Sequence, residues 1–457
     1  MSNRMIGRTR AEAIFLLIGD LCVFVISLWA TLLIRDLTVP SNVLFYDHLA
    51  PFSILFIAWV LVYFIAGLYD NHTTLFKQRL PSIILRAQIV NVVMAALFFF
   101  LIPYFGITPK TNLFIYLFVS FGLIVFWRLV LAQFMGVRHF DNALIIASGK
   151  EIDELIEEVN SNPTRYGFVF KHAFAPDDVI HSPKLQEQIM EFVDREEISV
   201  VVADTRDEHL QELLPVFYNL AYLDLRFIFI DFVQMYEQIF QRMPLSVLRH
   251  NWFLEQITTG PRLLYDTLKR LFDILAGLGV CFVTLLVLPF VWLAIRLEDG
   301  GPLFIVQERV GRHNQPVKIF KFRTMTGSDS GSAVLKSNLR VTRVGNFLRT
   351  SRVDELPQGL NLLKGDVTAI GPRPEFPALA SQYSEAIPYY NARHFIKPGL
   401  TGWAQIYHQA HPHHGADIEE TKNKLSYDLF YIKHRSFMLD IMISLKTIKT
   451  LLSRVGR

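Results

Sequence analysis

Residues 350–374 read Thr-Ser-Arg-Val-Asp-Glu-Leu-Pro-Gln-Gly-Leu-Asn-Leu-Leu-Lys-Gly-Asp-Val-Thr-Ala-Ile-Gly-Pro-Arg-Pro. Two adjacent acids, Asp354 and Glu355, precede an apolar turn, and a Gly-Pro-Arg-Pro corner carrying Arg373 follows. Adjacent carboxylates cannot both leave water without countercharge, so a divalent cation or nearby arginines must offset them. A carboxylate can attack phosphorus to form an acyl phosphate. Mg²⁺ binds through one or two carboxylates plus phosphate oxygens, which makes Asp354 and Glu355 its candidate ligands. Arg323 in Phe-Lys-Phe-Arg-Thr-Met, Arg349 in Arg-Thr-Ser, and Arg373 supply guanidinium groups suited to phosphate, and flanking prolines would hold Arg373 still. An Asp-Glu pair alone is ordinarily a solvated surface feature. The arginines, and an apolar segment upstream, point to chemistry on a phosphate at a lipid surface.

The elements that must position this site are unevenly composed. The 457 residues are 51% hydrophobic, with mean hydropathy +0.30, and the excess sits in blocks. Four segments, roughly 12–34, 50–68, 83–103 and 112–134, approach or exceed the ~20 apolar residues that cross a bilayer as helix. Arg4, Arg8 and Arg10 precede the first; Lys77, Arg79 and Arg86 lie around the junction of the second and third; Arg128, Arg138 and Lys150 end or follow the fourth. The positive-inside rule then places the amino terminus and everything after residue 137 on the cytoplasmic side. Asp20 and Arg86, charges within or near spans, read as interhelical or snorkelling contacts rather than a relay. Net charge is +3, which excludes a global nucleic-acid footprint. The only cysteines, Cys22 and Cys281, imply neither a disulfide framework nor a zinc site built on several cysteines.

From residue 142 the pattern alternates. Strand-like runs at 142–148, 198–203 and 226–231 are separated by helical runs at 151–160 and 207–222, which predicts a parallel α/β domain. Its first turn, Ser-Gly-Lys-Glu-Ile-Asp, has only Gly149 where a dinucleotide fingerprint needs three glycines. A structural or regulatory role is therefore favoured over cofactor binding.

The segment 268–297 opens with Leu-Lys-Arg-Leu-Phe-Asp and runs apolar from Ile274 to Ile295, interrupted by Pro289. A plain fifth span would translocate Arg296, Arg309, Arg312, Lys318, Lys321 and Arg323 against the charge rule. The reading adopted is a re-entrant helix broken near Leu288–Pro289 that returns to its own face. Beyond it, 305–309 and 317–323 alternate like strands, Gly-Ser-Asp-Ser-Gly-Ser at 327–332 reads as a loop, and 420–452 is helical, set along a membrane face. His408, His411, His413 and His414 read as a polar rim loop rather than a zinc site, and Trp403 as a core anchor rather than a sugar platform.

In order along the chain stand Lys269-Arg270-x-Phe272-Asp273, Lys321-Phe322-Arg323-Thr324-Met325, Asp354-Glu355-Leu356-Pro357-Gln358, Lys364-Gly365-Asp366, Gly371-Pro372-Arg373-Pro374 and Lys397-Pro398-Gly399-Leu400-Thr401-Gly402-Trp403. This ordered set resembles the bacterial sugar transferase family, in its long monotopic phosphoglycosyl transferase form. The resemblance covers essentially the whole chain. It implies a membrane protein of α plus α/β class. Four transmembrane helices would occupy 1–137, a degenerate Rossmann-like nucleotide-binding domain 138–255, and a monotopic mixed α/β catalytic domain with the re-entrant helix 256–457. It also implies a reaction. Asp354 attacks the sugar-linked phosphate of a UDP-sugar, expected to be a hexose, releasing UMP, and undecaprenyl phosphate then takes the sugar phosphate from the enzyme. Glu355 assists with Mg²⁺ and protons; Lys321, Arg323, Arg349 and Arg373 bind substrate, as does Asp428 in Tyr-Asp-Leu-Phe-Tyr. The partners implied are UDP-sugar, undecaprenyl phosphate and inner-membrane lipid, and a homo-oligomer is compatible with the sequence. The expected place is the bacterial inner membrane, catalytic face to the cytoplasm. The chain departs from the family in Asn338-Leu339-Arg340, in Arg352-Val353 before the acid pair, and after Trp403. A non-catalytic regulator or scaffold of polysaccharide assembly is the alternative, and intact Asp354, Glu355 and Arg373 argue against it. An inverting polyprenyl-phosphate glycosyltransferase would usually carry an Asp-x-Asp motif, which the catalytic region lacks.

Overall fold

Among the described residues, five helices are long and apolar enough to cross a membrane: Ile14–Asp36, Asn42–Ile65, Leu80–Leu101, Asn112–Val130 and Leu263–Glu298. The computed structural model describes residues 2–69, 80–102, 109–131, 141–176, 191, 193, 195–211, 213–223, 227–257, 260, 262–326, 340–407 and 417–452. The loop at 327–332, the four histidines of 408–414, and Lys77, Arg79 and Arg138 lie outside them. The chain divides into two compact units, 1–235 and 236–457.

In the first unit, α1 (Ser2–Asp36), α2 (Asn42–Ile65), α3 (Leu80–Leu101) and α4 (Pro109–Phe126) pack around one aromatic core. Trp59 is enclosed by Phe24, Phe52, Phe56 and Tyr116, with ring centroids 5.2–6.1 Å away. The second helix begins earlier than its apolar run, because Ser41 caps it by accepting the Leu44 N–H. Ser27 and Thr31 hide their hydroxyls by donating to carbonyls one turn back, Val23 O at 2.6 Å and Ser27 O at 2.7 Å. After α4 the chain makes a π-turn, Trp127–Leu131. Here Arg128 pairs with buried Asp20 and donates to Leu68 O at 2.6 Å, while Tyr69 OH donates to Asp20 at 3.0 Å. Asp20 is thus an interhelical contact, as expected, and Arg86 is exposed. Gly19 allows the approach, since a Cβ there would stand 1.8 Å from the Trp127 ring.

The same unit holds a four-stranded parallel sheet of order β2-β1-β3-β4, from β1 (Asp141–Ile146), β2 (Phe168–Phe174), β3 (Ile198–Ala203) and β4 (Ile228–Asp231). Strand β2 escaped the sequence reading: it lies at the sheet edge with polar positions Lys171 and His172, so its run is not continuously apolar. The helix expected at 207–222 is instead three short turns, 3₁₀ at Glu208–Leu210, α at Leu214–Tyr218 and π at Asn219–Leu223. Helix α5 (Glu151–Ser161) opens on Glu151, Asp153 and Glu154. These favour the positive end of the helix dipole and disfavour a phosphate there.

The second unit is organised on α6 (Leu263–Glu298). Helical backbone continues through Pro289, from Leu263 to Glu298, 36 residues in all. Proline deletes one intrahelical hydrogen bond. The turns on either side are fixed to the protein, through Thr284 Oγ1 donating to Leu356 O at 3.0 Å and through buried Val291. Along one stripe, Asp273 accepts from Thr368 Oγ1 and the Ala369 N–H, both within 2.9 Å. Gly277 meets Leu362 and Leu363, and Val291 and Ile295 join Phe322 and Leu348 in a core cluster. Glu298 accepts the Arg343 and Val344 N–H groups. The other stripe, including Leu275, Phe282, Leu285, Phe290, Leu293 and Leu297, is exposed.

Around α6 stand an antiparallel hairpin, β5 (Phe304–Val310) and β6 (Pro316–Phe322), and a parallel pair, β7 (Thr368–Ile370) and β8 (Gly399–Thr401). The helices are α7 (Arg343–Thr350), α8 (Gly359–Lys364), α9 (Pro377–Ala386), α10 (Ile418–His434) and α11 (Phe437–Leu452). The periodicity at 420–452 is thus two helices, divided where Ser436 restarts the chain by accepting the Leu439 N–H. Trp403 is a core anchor, 1% exposed, its indole N–H donating to Gln241 O at 2.8 Å.

The Asp20–Arg128 pair yields a prediction. Removing one partner of a buried pair strands the other charge, at a cost of about 3–5 kcal/mol. Asp20→Ala should sharply lower the thermal unfolding midpoint in detergent. Replacing both residues by leucine should recover much of the loss, which a double-mutant comparison would read.

Candidate active site

The acid pair lies on a 3₁₀ turn, Val353–Gln358, between α7 and α8. Pro357 and the preceding Arg352, left-handed at φ 59°, keep this stretch from continuing as α-helix. Strand β6 brings in Lys321 from the hairpin. Its neighbour Phe322 points the other way, fully buried with Val291 and Ile295 of α6. Buried Asn361 fastens α8 to β6, donating to Lys318 O at 2.6 Å and accepting the Phe320 N–H at 3.1 Å. The Gly-Pro-Arg-Pro corner after β7 brings in Arg373.

These pieces converge on one atom. Glu355 Oε1 accepts from Arg373 Nη2 at 2.8 Å and from Lys321 Nζ at 3.1 Å, and Arg352 Nη1 stands 3.9 Å away. Burial pushes the Glu355 carboxyl up, but Arg373, Lys321 and Arg352 outweigh it and hold it well below the usual carboxylate range. The countercharge demanded by the acid pair is therefore protein-borne. Asp354 behaves in the opposite way. It is 8% exposed, and burial together with the Glu355 charge pushes it up to about 6, against the pull of Lys321, Arg352 and Arg349. The two acids are thus electrostatically distinct: one locked in an ion-pair cluster, the other poised near neutrality.

The remaining expected residues divide. Arg349, exposed on the last turn of α7, is close enough to act on Asp354. Arg323 is turned elsewhere. Its Nη1 and Nη2 each reach an Asp299 carboxylate oxygen at 3.0 Å, and its Nε donates to Met325 O. This bidentate pair after the C-terminus of α6 occupies its fork. Asp428 is also removed from open solvent, at 2% exposure, with its Oδ2 2.8 Å from Arg393 Nη2. Arg393 Nη2 in turn donates to the Arg373 carbonyl at 3.0 Å, and Nη1 to Tyr390 OH at 2.9 Å. Asp428 therefore reaches the site through Arg393, a residue the sequence reading missed. Its signal was weak, an arginine beside His394 in a segment without strong periodicity.

Among the described residues, no group of three or more His, Cys, Asp or Glu side chains is arranged to hold a metal ion. Mg²⁺ asks for fewer protein ligands when substrate phosphate supplies the rest. Lys321, Arg373 and Arg352 all converge on Oε1 of Glu355, which leaves Oε2 and the Asp354 carboxylate as a donor set of suitable chemistry.

The contrast between the two acids sets the sign of a stability experiment. Asp354 has its folded-state proton affinity raised, so its ionisation opposes folding above about pH 6, and acid relieves this toward the unfolded value of 3.8. Asp354→Asn should raise the unfolding midpoint at pH 7.5, by an amount on the order of 2 kcal/mol, and the gain should shrink toward pH 4. Glu355 is shifted down, so its stabilisation is present above its unfolded value of 4.5 and lost as pH falls below it. Glu355→Gln should lower the midpoint at pH 7.5. Thermal unfolding of the two variants across pH reads both.

The bacterial sugar transferase family model matches residues 264–454. A UDP-N-acetylgalactosamine-undecaprenyl-phosphate N-acetylgalactosaminephosphotransferase of Aeromonas hydrophila is 39% identical over 261 residues, 56% of this chain and 59% of that protein. The uncharacterized sugar transferase EpsL of Bacillus subtilis (strain 168) is 38% identical over 190 residues, 41% of this chain and 89% of that protein. A UDP-glucose:undecaprenyl-phosphate glucose-1-phosphate transferase of Caulobacter vibrioides is 39% identical over 198 residues, covering 42% of this chain and 73% of that protein. The matched stretch thus spans little more than half of the Aeromonas relative and most of the other two. The acid pair, the Gly-Pro-Arg-Pro corner and the whole of α7 to α10 fall inside the family match; the chain belongs to the bacterial sugar transferase family.

Proposed function

We propose that this protein transfers a sugar 1-phosphate, expected to be a hexose 1-phosphate, from a UDP-sugar to undecaprenyl phosphate, with Asp354 as the covalent nucleophile. The observation that carries the reading is the asymmetry of the acid pair. Asp354 is buried, is in no ion pair among the described residues and is pushed up to about 6, while its neighbour Glu355 gathers Lys321, Arg373 and Arg352 beside it. At neutral pH the Asp354 carboxylate is ionised and so competent to attack. A bond forms from its oxygen to the sugar-linked phosphorus. The bond from that phosphorus to the bridging oxygen breaks, and UMP leaves with the electron pair. In the second half, an oxygen of undecaprenyl phosphate attacks the same phosphorus and the aspartate departs as carboxylate. The sugar's anomeric bond is untouched.

Phosphoryl transfer rests on alignment and charge neutralisation. Arg373, Lys321 and Arg349 provide the fixed positive field. Asp428, through Arg393, positions the Arg373 backbone. Mg²⁺ held by Asp354 and Glu355 Oε2 would add charge neutralisation at the phosphate oxygens. The named relatives act on UDP-N-acetylgalactosamine and UDP-glucose, so the donor panel should include both, with UDP-galactose.

The proposed setting is the bacterial inner membrane, with the first four apolar helices spanning and the catalytic unit at the cytoplasmic face. Helix α6 is proposed to bend at Pro289 and so to enter and leave on that same side. Its support is that Lys269 and Arg270 near one end and Glu298 at the other all bind the same compact unit.

Purified protein incubated with UDP-sugars and undecaprenyl phosphate should release UMP. Asp354→Asn should abolish release, and mass spectrometry should find a sugar-phosphate adduct on Asp354 when acceptor is withheld. Undiminished turnover by that variant would refute the assignment. The kcat/KM profile should fall about tenfold per pH unit below about pH 6, following protonation of Asp354. Asp428→Asn should lower kcat more than it raises either KM; an equal loss of folded protein and activity would make it merely structural.

A further inference from the structure

Arg352 stands directly before Val353 and the acid pair. Its placement combines three features. Its backbone is left-handed, φ 59° and ψ 14°, a conformation disfavoured for any residue with a Cβ other than asparagine or aspartate. That twist is fixed at both ends: the Arg352 N–H donates to Arg349 O at 3.2 Å, and its carbonyl accepts the Glu355 N–H at 3.3 Å. The turn carries the guanidinium back toward the acids, where Nη1 lies 3.9 Å from Glu355 Oε1. Strain of this kind clusters at functional sites.

The ion pair with Glu355 does not account for this placement. Glu355 Oε1 already accepts hydrogen bonds from Arg373 and Lys321, and at 3.9 Å Arg352 is beyond hydrogen-bond distance. Its side chain is 42% exposed, like that of Arg373 at 41% and unlike that of Lys321 at 14%, so it stands on the solvent side of the cluster. The charge balance is uneven as well. Asp354 and Glu355 are faced by Lys321, Arg349, Arg352 and Arg373, all of which act on one or both acids. Arg323 is not part of this excess, being matched by Asp299. Counting also Arg309, which acts on Lys321, and Glu375, which acts on Arg373, five cations face three carboxylates; the excess leaves room for a further anion, and a guanidinium is suited to phosphate oxygens.

We infer that Arg352 is a phosphate-binding residue on the open side of the acid pair, engaging a phosphate group of one of the two substrates. The inference rests on the transferase reading above. The phosphate belongs either to the diphosphate of the UDP-sugar or to the polyprenyl phosphate, and the arms of the experiment separate the two.

The test uses full-length protein in detergent or nanodiscs and three variants. Arg352→Lys keeps charge without the fork. Arg352→Ala removes both. Arg352→Gly removes the side chain while taking up the left-handed backbone without strain, so lost folding cannot imitate lost binding. UMP release is measured while each substrate is varied at saturation of the other, beside the unfolding midpoint. An increase of about tenfold or more in KM for the UDP-sugar in the Ala and Gly variants, partly restored in Lys, assigns the donor diphosphate. The same increase confined to undecaprenyl phosphate assigns the acceptor. Both KM values within twofold of the parent in the Gly variant would overturn the inference and leave Arg352 a surface partner of Glu355. Failure of the parent protein to release UMP from any donor would instead sink the transferase reading, a result distinct from the first.

Discussion

One constraint shapes the catalytic unit: a 36-residue apolar helix must serve two surroundings. On one side α6 carries Asp273, Gly277, Thr284, Val291, Ile295 and Glu298, which between them meet β7, α8, the acid-bearing turn, the hairpin and α7. On the other side leucines and phenylalanines are left exposed. Its 36 residues amount to about 54 Å of helical rise, more than the ~30 Å hydrocarbon core. Because its packed stripe reaches from one end to the other, the acid pair is held at a fixed depth relative to the apolar face. Thr284 makes that coupling direct, since its hydroxyl donates to the carbonyl of Leu356, the residue after Glu355. Any reaction joining a water-soluble nucleotide to a lipid phosphate needs such a fixed level, and here a single helix sets it.

The second constraint is electrostatic. Burying two neighbouring carboxylates raises both proton affinities unless cations intervene. The structure spends its cations unequally. Lys321 and Arg373 hydrogen-bond Glu355, whereas Asp354 feels cations only at longer range. Equal sharing would have left two ordinary carboxylates. The unequal arrangement leaves one permanently ionised scaffold and one group whose charge is set by burial.

Much of this was legible in sequence, for identifiable reasons. The long apolar helices follow from composition, because about twenty apolar residues have few other destinations. Strands β1, β3 and β4 announced themselves as buried aliphatic runs, whereas β2, with Lys171 and His172 in it, did not. The acid pair and Arg373 could be singled out by type and spacing. What spacing cannot give is partner choice. Arg323 and Arg373 looked alike as flanking arginines, yet Asp299, 24 residues upstream of Arg323, captures the first, while Glu355 captures the second. The Asp428–Arg393 pair lies 35 positions apart and depends on α10 packing against the segment 390–395. Pro289 illustrates the same limit: it deletes one hydrogen bond, and the helical backbone nonetheless continues on both sides of it.

The Gly-Pro-Arg-Pro corner explains how an arginine can be fixed among other cations. Two prolines delete two backbone N–H donors, so the segment presents an excess of carbonyls. Cations and amides gather on them. Lys269 reaches Ile370 O, the Gly399 N–H reaches Pro372 O, and Arg393 reaches Arg373 O. Arg309 approaches Pro374 O, and the Val310 N–H reaches Glu375 O. The main chain on both sides of Arg373 is therefore bonded by groups from four separate elements, three of them positively charged. Its guanidinium meets Glu355 at 2.8 Å, and the Glu355 charge is the leading reason that the guanidinium holds its proton so firmly. The prolines thus act at one remove: by leaving the corner rich in carbonyls they let four elements fix the main chain that carries Arg373, a side chain that neither proline needs to touch.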